Sequence, residues 1–189
     1  MKKSILLLLV LAAVTILAIG CIQKEPTEED GVLRDNSDPD AAKVIESDFI
    51  ISFQCEFSAL DRMEEDTYLS GKTYRLEARL KDGAVKGHYY PCGNHEEDIL
   101  FAADHSFLYK LQDVVAKYDL AQYNGMDISV SGLPEMYGAS LQIVYATGER
   151  ISASDNQDCF LPLAAMEELE SLFRQKLPKP PASNDGVEE

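Results

Sequence analysis

The sequence predicts an α+β domain in which an antiparallel sheet of about five to six strands packs with two helices. Two observations favour this fold class. Several runs alternate apolar and polar residues with the period of a half-buried strand, and two runs carry apolar residues at helical spacing. The elements follow in the order β-β-β-α-β-β-β-α. Locally paired strands with helices over one face are typical of α+β domains.

The composition sets the broad class of the protein. The chain has 189 residues, and 33 Asp and Glu against 17 Lys and Arg give it a formal net charge of -16. So acidic a surface repels phosphate backbones, which disfavours nucleic-acid binding through the bulk surface and predicts no nucleic-acid partner. The length fits one ordinary domain with extra segments.

The N-terminus has the form of a signal peptide. Lys2 and Lys3 precede an apolar run from Ile5 to Ile19, which is shorter than the roughly 20 residues of a permanent membrane helix. The run ends at Leu17-Ala18-Ile19-Gly20-Cys21, which resembles the lipobox of prokaryotic lipoproteins.

This resemblance implies cleavage before Cys21, lipidation of its thiol and attachment to the cell membrane on the extracytoplasmic side. Residues 1–20 are then the signal peptide. Two acyl chains hold a protein to a membrane stably, whereas one chain holds it only marginally. An uncleaved signal anchor and a plain secretory peptide are the alternatives.

Polar segments flank the predicted domain, which spans residues 48–177. Residues 21–47 are rich in Glu, Asp, Pro and Ser, and they predict a flexible tether. Within it, residues 35–40 alternate oxygen-bearing side chains as a calcium loop does, but they lack that loop's Gly and distal Glu. Residues 178–189 predict a polar, disordered tail after a helix-stopping Pro178.

The first half of the domain predicts three strands. Residues 49–57 and 74–81 alternate apolar and polar side chains. The sequence Asp82-Gly83 supplies the positive φ that a two-residue hairpin needs before the third run, residues 85–90. We therefore expect the second and third strands to pair.

A helix follows these strands. Its apolar stripe runs from Phe107 to Tyr118, Asp104 or Ser106 can cap its start, and Asn124-Gly125 suits its end.

The second half predicts three more strands and a final helix. Residues 126–131 and 140–146 have strand character, and a turn at Thr147-Gly148 leads into residues 150–154. The last helix begins at Pro162 and carries an apolar stripe to Leu177.

Three cysteines remain on the exported side, where disulfides persist. The preferred pairing joins Cys92 to Cys159, because both lie in predicted loops, and it leaves Cys55 as a buried, inert thiol. The two other pairings and the absence of a bridge stay open, since the distances between the Cα atoms cannot be read from a sequence.

One group of residues has the chemistry of a metal site. His88, Cys92 and His95 carry the nitrogen and sulfur ligands that zinc takes, and three ligands with a water would make a hydrolytic site. No second Cys or His pair completes a zinc knuckle, so polar loop residues are the alternative. The chain has no Gly-x-Ser-x-Gly motif and no phosphate-binding Gly loop, and no cofactor is predicted.

Two loops of the second half combine apolar and polar side chains as small-ligand sites do. The alternative is that these side chains close the ends of the core. The candidate ligand rim consists of Met136, Tyr137, Asn156, Gln157 and Phe160.

These two loops, Ser131–Gly138 and Ser154–Pro162, also carry a second resemblance. Together with Lys117–Leu120 and Asn124-Gly125, they resemble a segment of uncharacterised surface lipoproteins of clostridia-like bacteria and some archaea. The resemblance covers about Ser106 to Phe173. It implies a lipid-anchored, extracytoplasmic α+β domain and no particular activity.

Three functions follow as hypotheses. The first is a non-catalytic lipoprotein whose domain binds a ligand or an envelope partner. The second is a zinc-dependent enzyme or a zinc-binding protein that uses His88, Cys92 and His95. The third is a solute or carbohydrate receptor, for which the chain is short because each lobe of a two-lobed receptor is a domain of its own.

Overall fold

The computed structural model describes residues 31–59, 69, 72–92, 98–132 and 137–178, without the side chain of Cys92. The signal peptide, Cys21, the first part of the tether, His95, Met136 and most of the tail therefore lie outside the described residues. No helix among the described residues is long and apolar enough to cross a membrane.

The described chain forms eight strands and two α-helices, with a short 3-10 helix at Leu120–Tyr123. The strands are β1 (Leu33–Asp35), β2 (Ile50–Ser58), β3 (Thr73–Lys81), β4 (Ala84–Cys92), β5 (Ile99–Ala103), β6 (Asp127–Val130), β7 (Ala139–Tyr145) and β8 (Arg150–Asp155). The helices are α1 (Ser106–Lys117) and α2 (Leu163–Arg174). The α+β class is therefore confirmed.

All eight strands belong to one sheet in the order β1-β6-β8-β7-β2-β3-β4-β5. The predicted count of five to six strands is wrong, and so is the purely antiparallel sheet, because β6 pairs with β8 in parallel. The hairpin between β7 and β8 places β8 outside β7, which itself pairs with β2. The free edge of β8 is then the place where β6 joins the sheet.

The two strands that the sequence analysis missed are the edge strands β1 and β5. The first has three residues in an acidic stretch, and the second has five apolar or small residues with weak alternation. The observed order is therefore β-β-β-β-β-α-β-β-β-α. Both strands form because a neighbouring strand offers main-chain partners, which a local pattern does not show.

Residues 31–47 require a correction, because they lie along the domain and not in a tether. Strand β1 pairs with β6, and the Asp38 amide donates to the Gly125 carbonyl at 2.7 Å. The side-chain amide of Asn124 donates to the Ala42 carbonyl at 2.8 Å. Of the acidic string, Asp35 and Asp38 accept bonds from main-chain amides two residues onward, at 3.0 Å each. Main-chain hydrogen bonds thus attach a segment that has few large apolar side chains.

The carboxylate of Glu149 holds the end of this segment. It accepts the main-chain amides of Glu46 and Ser47 at 2.9 Å and 3.0 Å, and the Thr147 hydroxyl at 2.9 Å. These hydrogen bonds, with the Glu46 amide as the largest cause, lower the pKa of Glu149. The ionised carboxylate is therefore the form that holds the segment.

We expect Glu149→Gln to speed hydrogen exchange at the amides of Glu46 and Ser47 while the central strands stay protected. In the unchanged protein the same loosening should occur as the pH falls through the lowered pKa of Glu149, because a carboxylate with a depressed pKa loses its contribution on protonation. Exchange measured by mass spectrometry tests this. Asp113→Asn removes an equal charge from an exposed site on α1, and an equal effect of that control would contradict the prediction.

The core lies between one face of the sheet and the two helices. Alternate residues of β2, β3, β7 and β8 are buried on this face, and they meet the apolar stripes of α1 and α2. Helix α1 contacts β2, whereas α2 contacts β3 and β4. The opposite face of the sheet carries polar side chains, and we call it the open face.

Several predicted local features are confirmed. The turn between β3 and β4 has positive φ at both Asp82 (53°) and Gly83 (76°), as the hairpin requires. The predicted first helix is shorter than expected, because it ends at Lys117 and Asp119 takes a left-handed φ of 49° before the 3-10 helix. At its start the N-cap residue is His105, not the predicted Asp104 or Ser106, and it makes no side-chain capping bond. The Asp104 carboxylate does accept the Ser106 amide at 2.9 Å.

Candidate functional site

A polar groove crosses the open face near one end of the strands. It has a volume of about 330 Å³ and is lined by residues from β2, β3, β6, β7 and β8 together with Asn156. The register aligns one continuous row of side chains across this part of the sheet. In order, the row contains Asp127, Ser154, Ser140, Glu56, Arg75 and Tyr90.

Small side chains make room for the groove. Ser129 and Ser140 line it, and within the described residues neither hydroxyl makes a hydrogen bond. Gly138 lies where β7 begins, and a Cβ atom there would come within 2.3 Å of the Asp155 carbonyl oxygen. That close approach of two main chains requires glycine, because a backbone atom yields less readily than the end of a side chain.

Asn156 fixes one wall of the groove. Its side-chain oxygen accepts the Val130 amide at 2.8 Å, and its side-chain nitrogen donates to the Val130 carbonyl at 3.0 Å. The Asn156 side chain thus continues the ladder between β6 and β8 past the end of β8. Its polar atoms are engaged in holding β6 in position, which leaves ligand contacts to the neighbouring hydroxyls.

The opposite wall carries charge. Arg75 Nε lies 2.8 Å from Glu56 Oε2, and the side chains are 43% and 36% exposed. Beside them, the Thr73 hydroxyl donates to the Ser58 hydroxyl at 3.1 Å. The groove therefore offers a guanidinium, two carboxylates and several hydroxyls within one small volume. A polar molecule with both donors and acceptors matches such a lining.

The structure separates the residues of the predicted ligand rim. Asn156 lines the groove, and Tyr137, which is 41% exposed, directly precedes the groove residue Gly138. Gln157 follows Asn156, and the main-chain amide of Gln157 donates to the Asp155 carboxylate at 2.9 Å. Phe160 instead packs against Tyr123, with ring centroids 5.0 Å apart. The rim as a whole stays a prediction, since Met136 lies outside the described residues.

The predicted zinc ligands are not brought together by what the structure describes. His88 Nε2 lies 3.0 Å from Asp98 Oδ1. Cys92 ends the same strand four residues later, which separates the two Cα atoms by about 13 Å in an extended chain. Among the described residues, no group of three or more His, Cys, Asp or Glu side chains could hold a metal. The site stays a prediction because the Cys92 side chain and His95 are not described.

The remaining cysteines lie in the helix-covered part of the domain. Cys55 is fully buried, as predicted, and its pKa is raised well above the usual value by burial and then by the negative charges of Cys159 and Glu56. Cys159 Sγ lies 3.5 Å from Met166 Sδ on α2. The predicted bridge between Cys92 and Cys159 stays a prediction, as does lipidation of Cys21.

A buried polar cluster is the feature that the sequence analysis missed. Glu170 on α2 has no exposed side-chain surface, and its Oε1 accepts the Tyr89 hydroxyl at 2.7 Å and Arg174 Nε at 2.8 Å. Within the described residues, Glu170 Oε2 has no hydrogen-bond partner. The pKa of Tyr89 is raised, with burial as the largest cause and the hydrogen bond to Glu170 as the second. The position of Glu170 four residues after Met166, on the apolar stripe, is the signal that could have revealed the cluster.

The fold and the groove together define a domain with a mixed sheet, helices on one face and a polar groove on the other. Comparison of the chain with family models, with curated proteins and with solved structures finds no match. The groove, the N-terminal sequence and the edges of the sheet are the features of this chain that bear on its function.

Proposed function

We propose that the protein is a lipid-anchored, extracytoplasmic lipoprotein whose domain binds a small polar ligand in the groove without catalysing a reaction. The groove is the observation that carries the proposal. Its described lining contains hydroxyls, the two carboxylates of Glu56 and Asp155, a guanidinium and an amide, but no His, Cys or Lys. Glu56 is paired with Arg75, and the Asp155 carboxylate accepts the main-chain amides of Gln157 and Asp158. Carboxylates engaged in this way, among several hydroxyls, are suited to binding.

Gly31, the first described residue, lies near the groove, and this supports a position of the groove close to the lipid anchor. The Gly31 amide donates to the Ser131 carbonyl at 2.7 Å, close to the groove residue Ser129. Ten residue steps separate Cys21 from Gly31, and a fully extended chain of that length spans at most about 36 Å. A lipidated Cys21 would therefore keep the groove end of the sheet near the membrane, closer than a tether running to residue 47 would.

Lipidation is tested by expressing the full chain in a bacterium with a labelled fatty acid. We expect label in the protein and recovery with the membranes, and Cys21→Ser should abolish both. Cys92→Ser, the matched control, should leave both unchanged. Unlabelled protein, or label that survives Cys21→Ser, would overturn the anchor.

Ligand binding is tested by thermal unfolding with a panel of neutral sugars, amino acids and dipeptides. We expect at least one class to raise the melting temperature, because a ligand that binds the folded state stabilises it. Ser140→Val should remove that shift, since it deletes a hydroxyl that lines the groove. Ser152→Val alters the same face outside the groove and should preserve the shift. No shift with any class, or equal loss in both variants, would contradict a ligand site here.

A further inference from the structure

Among the residues that the structure describes, the outer edge of β5 pairs with no other strand. This strand is the last in the sheet and pairs only with β4. Within the described residues, no main-chain hydrogen bond reaches its outer side. The strand contains Ile, Leu, Phe and two Ala residues, with no charge and no proline. Leu100, the second residue of the strand, is 77% exposed on the open face.

Natural sheets protect such edges with charges, prolines, bulges or very short strands. The opposite edge of this sheet follows that rule, since β1 has only three residues and two of them, Arg34 and Asp35, are charged. Strand β5 has none of these features within its five residues. An unprotected apolar edge is the surface to which an extended peptide adds as a further strand.

The charges at the two ends of β5 indicate what kind of segment fits. Asp98 precedes the strand and Asp104 follows it, and the Asp98 side chain is 60% exposed. Hydrogen bonds from Ser106, and to a smaller extent the charges of Lys176 and Lys110, lower the pKa of Asp104, which keeps its carboxylate ionised at neutral pH. A segment that lies along β5 in either direction brings its own two ends beside these aspartates.

A second copy of the chain fits this edge poorly. A symmetric antiparallel pair centred on Phe101 would place Asp98 of each copy opposite Asp104 of the other, and like charges directly opposite are destabilising. The net charge of -16 on each copy adds repulsion at longer range. The charges therefore favour a basic partner over self-association.

We propose that the β5 edge binds an extended apolar segment of a partner protein, flanked at both ends by Lys or Arg, as a ninth strand of the sheet. Main-chain hydrogen bonds to β5 supply the affinity. Leu100 contacts the partner's side chains on the open face, and Asp98 and Asp104 select for basic ends. This interaction is independent of the ligand groove, which lies on other strands.

The test uses the whole chain in a mild detergent and three blocked heptapeptides. The first alternates Val and Thr between two terminal lysines, the second has terminal glutamates, and the third repeats the first with N-methylated amides. We expect the lysine peptide to bind with a Kd below about 1 mM and at least tenfold more tightly than the other two. Its binding should weaken as salt is added.

Hydrogen exchange locates the interaction, and a matched pair of variants tests it. The lysine peptide should protect amides of residues 99–103, and Leu100→Lys should weaken its binding about tenfold or more. Val44→Lys adds the same charge at a side chain that is also 77% exposed, and it should leave binding unchanged. The proposal is overturned by a lysine peptide that fails to bind, by equal binding of all three peptides, or by a dimer that hides β5 when no peptide is present.

Discussion

Phe173→Ala should lower the free energy of unfolding by about 3–5 kcal/mol, the largest loss that we expect from a single truncation in this chain. Phe173 is fully buried, and its ring lies among three others. The centroid distances are 6.2 Å to Phe53, 5.8 Å to Phe101 and 5.1 Å to Phe107. These rings belong to β2, β5 and α1, so the cavity left by alanine would affect contacts that join four elements.

Urea unfolding followed by circular dichroism measures this loss. Phe160→Ala is the matched control, because Phe160 is only partly buried and its ring stacks on Tyr123 alone among the described rings. We expect the control to cost about 1–2 kcal/mol. Equal losses in the two variants would show that Phe173 is not the centre of the aromatic core.

Arg174→Met should destabilise the protein by about 2–3 kcal/mol, because it leaves the buried Glu170 without its cation. Removal of one partner from a buried ion pair typically costs about 3–5 kcal/mol. Half of the Arg174 side chain is exposed, so water replaces part of the lost interaction. Among the described residues, the Tyr89 hydroxyl would then be the remaining hydrogen-bond donor to the carboxylate.

Two further variants separate this effect from an ordinary loss of surface charge. Lys117→Met removes a cation 2.5 Å from Glu168 in a pair whose side chains are 58% and 37% exposed, and it should destabilise the protein much less than Arg174→Met does. Glu170→Gln combined with Arg174→Met should be more stable than Arg174→Met alone, because a neutral amide costs less to bury than a carboxylate. A double variant no more stable than Arg174→Met would contradict the role given to the buried charge.

The sequence predicted the elements that form through local chemistry. The hairpin between β3 and β4 is an example, since Asp82 and Gly83 supply the positive φ that its turn needs. The start of α2 is another, to within one residue, because the helix begins at Leu163 and Pro162, predicted as its first residue, is the N-cap. In each case the structure depends on residues that are neighbours in the sequence, so a local pattern is sufficient to predict it.

Alternation alone misplaced part of β2. The pattern predicts that Ile51 faces the core with Phe53, whereas the register shifts between Ile50 and Ser52 and the buried residue is Ile50. An irregularity of this kind changes which side chains share a face. Pairing with β7 produces it, so residues 49–57 by themselves could not reveal it.

The groove depends on contacts between distant parts of the chain. Its walls come from five strands, and their side-by-side order follows from the β7–β8 hairpin and from the parallel pairing of β6. Asn156 was predicted as a ligand contact, yet the structure gives its amide a partner 26 residues away at Val130. Neither the strand order nor the partner of Asn156 can be inferred from the spacing of residues along the chain.

By itself, the sequence determined the α+β class, the central strands, both helices and the burial of Cys55. The tertiary structure alone decided the edge strands, the parallel pair, the attachment of residues 31–47 and the burial of Glu170. Periodicity and turn chemistry act within a few residues. Strand pairing and burial depend instead on distant segments of the chain, which provide the hydrogen-bond partners and pack over the side chains.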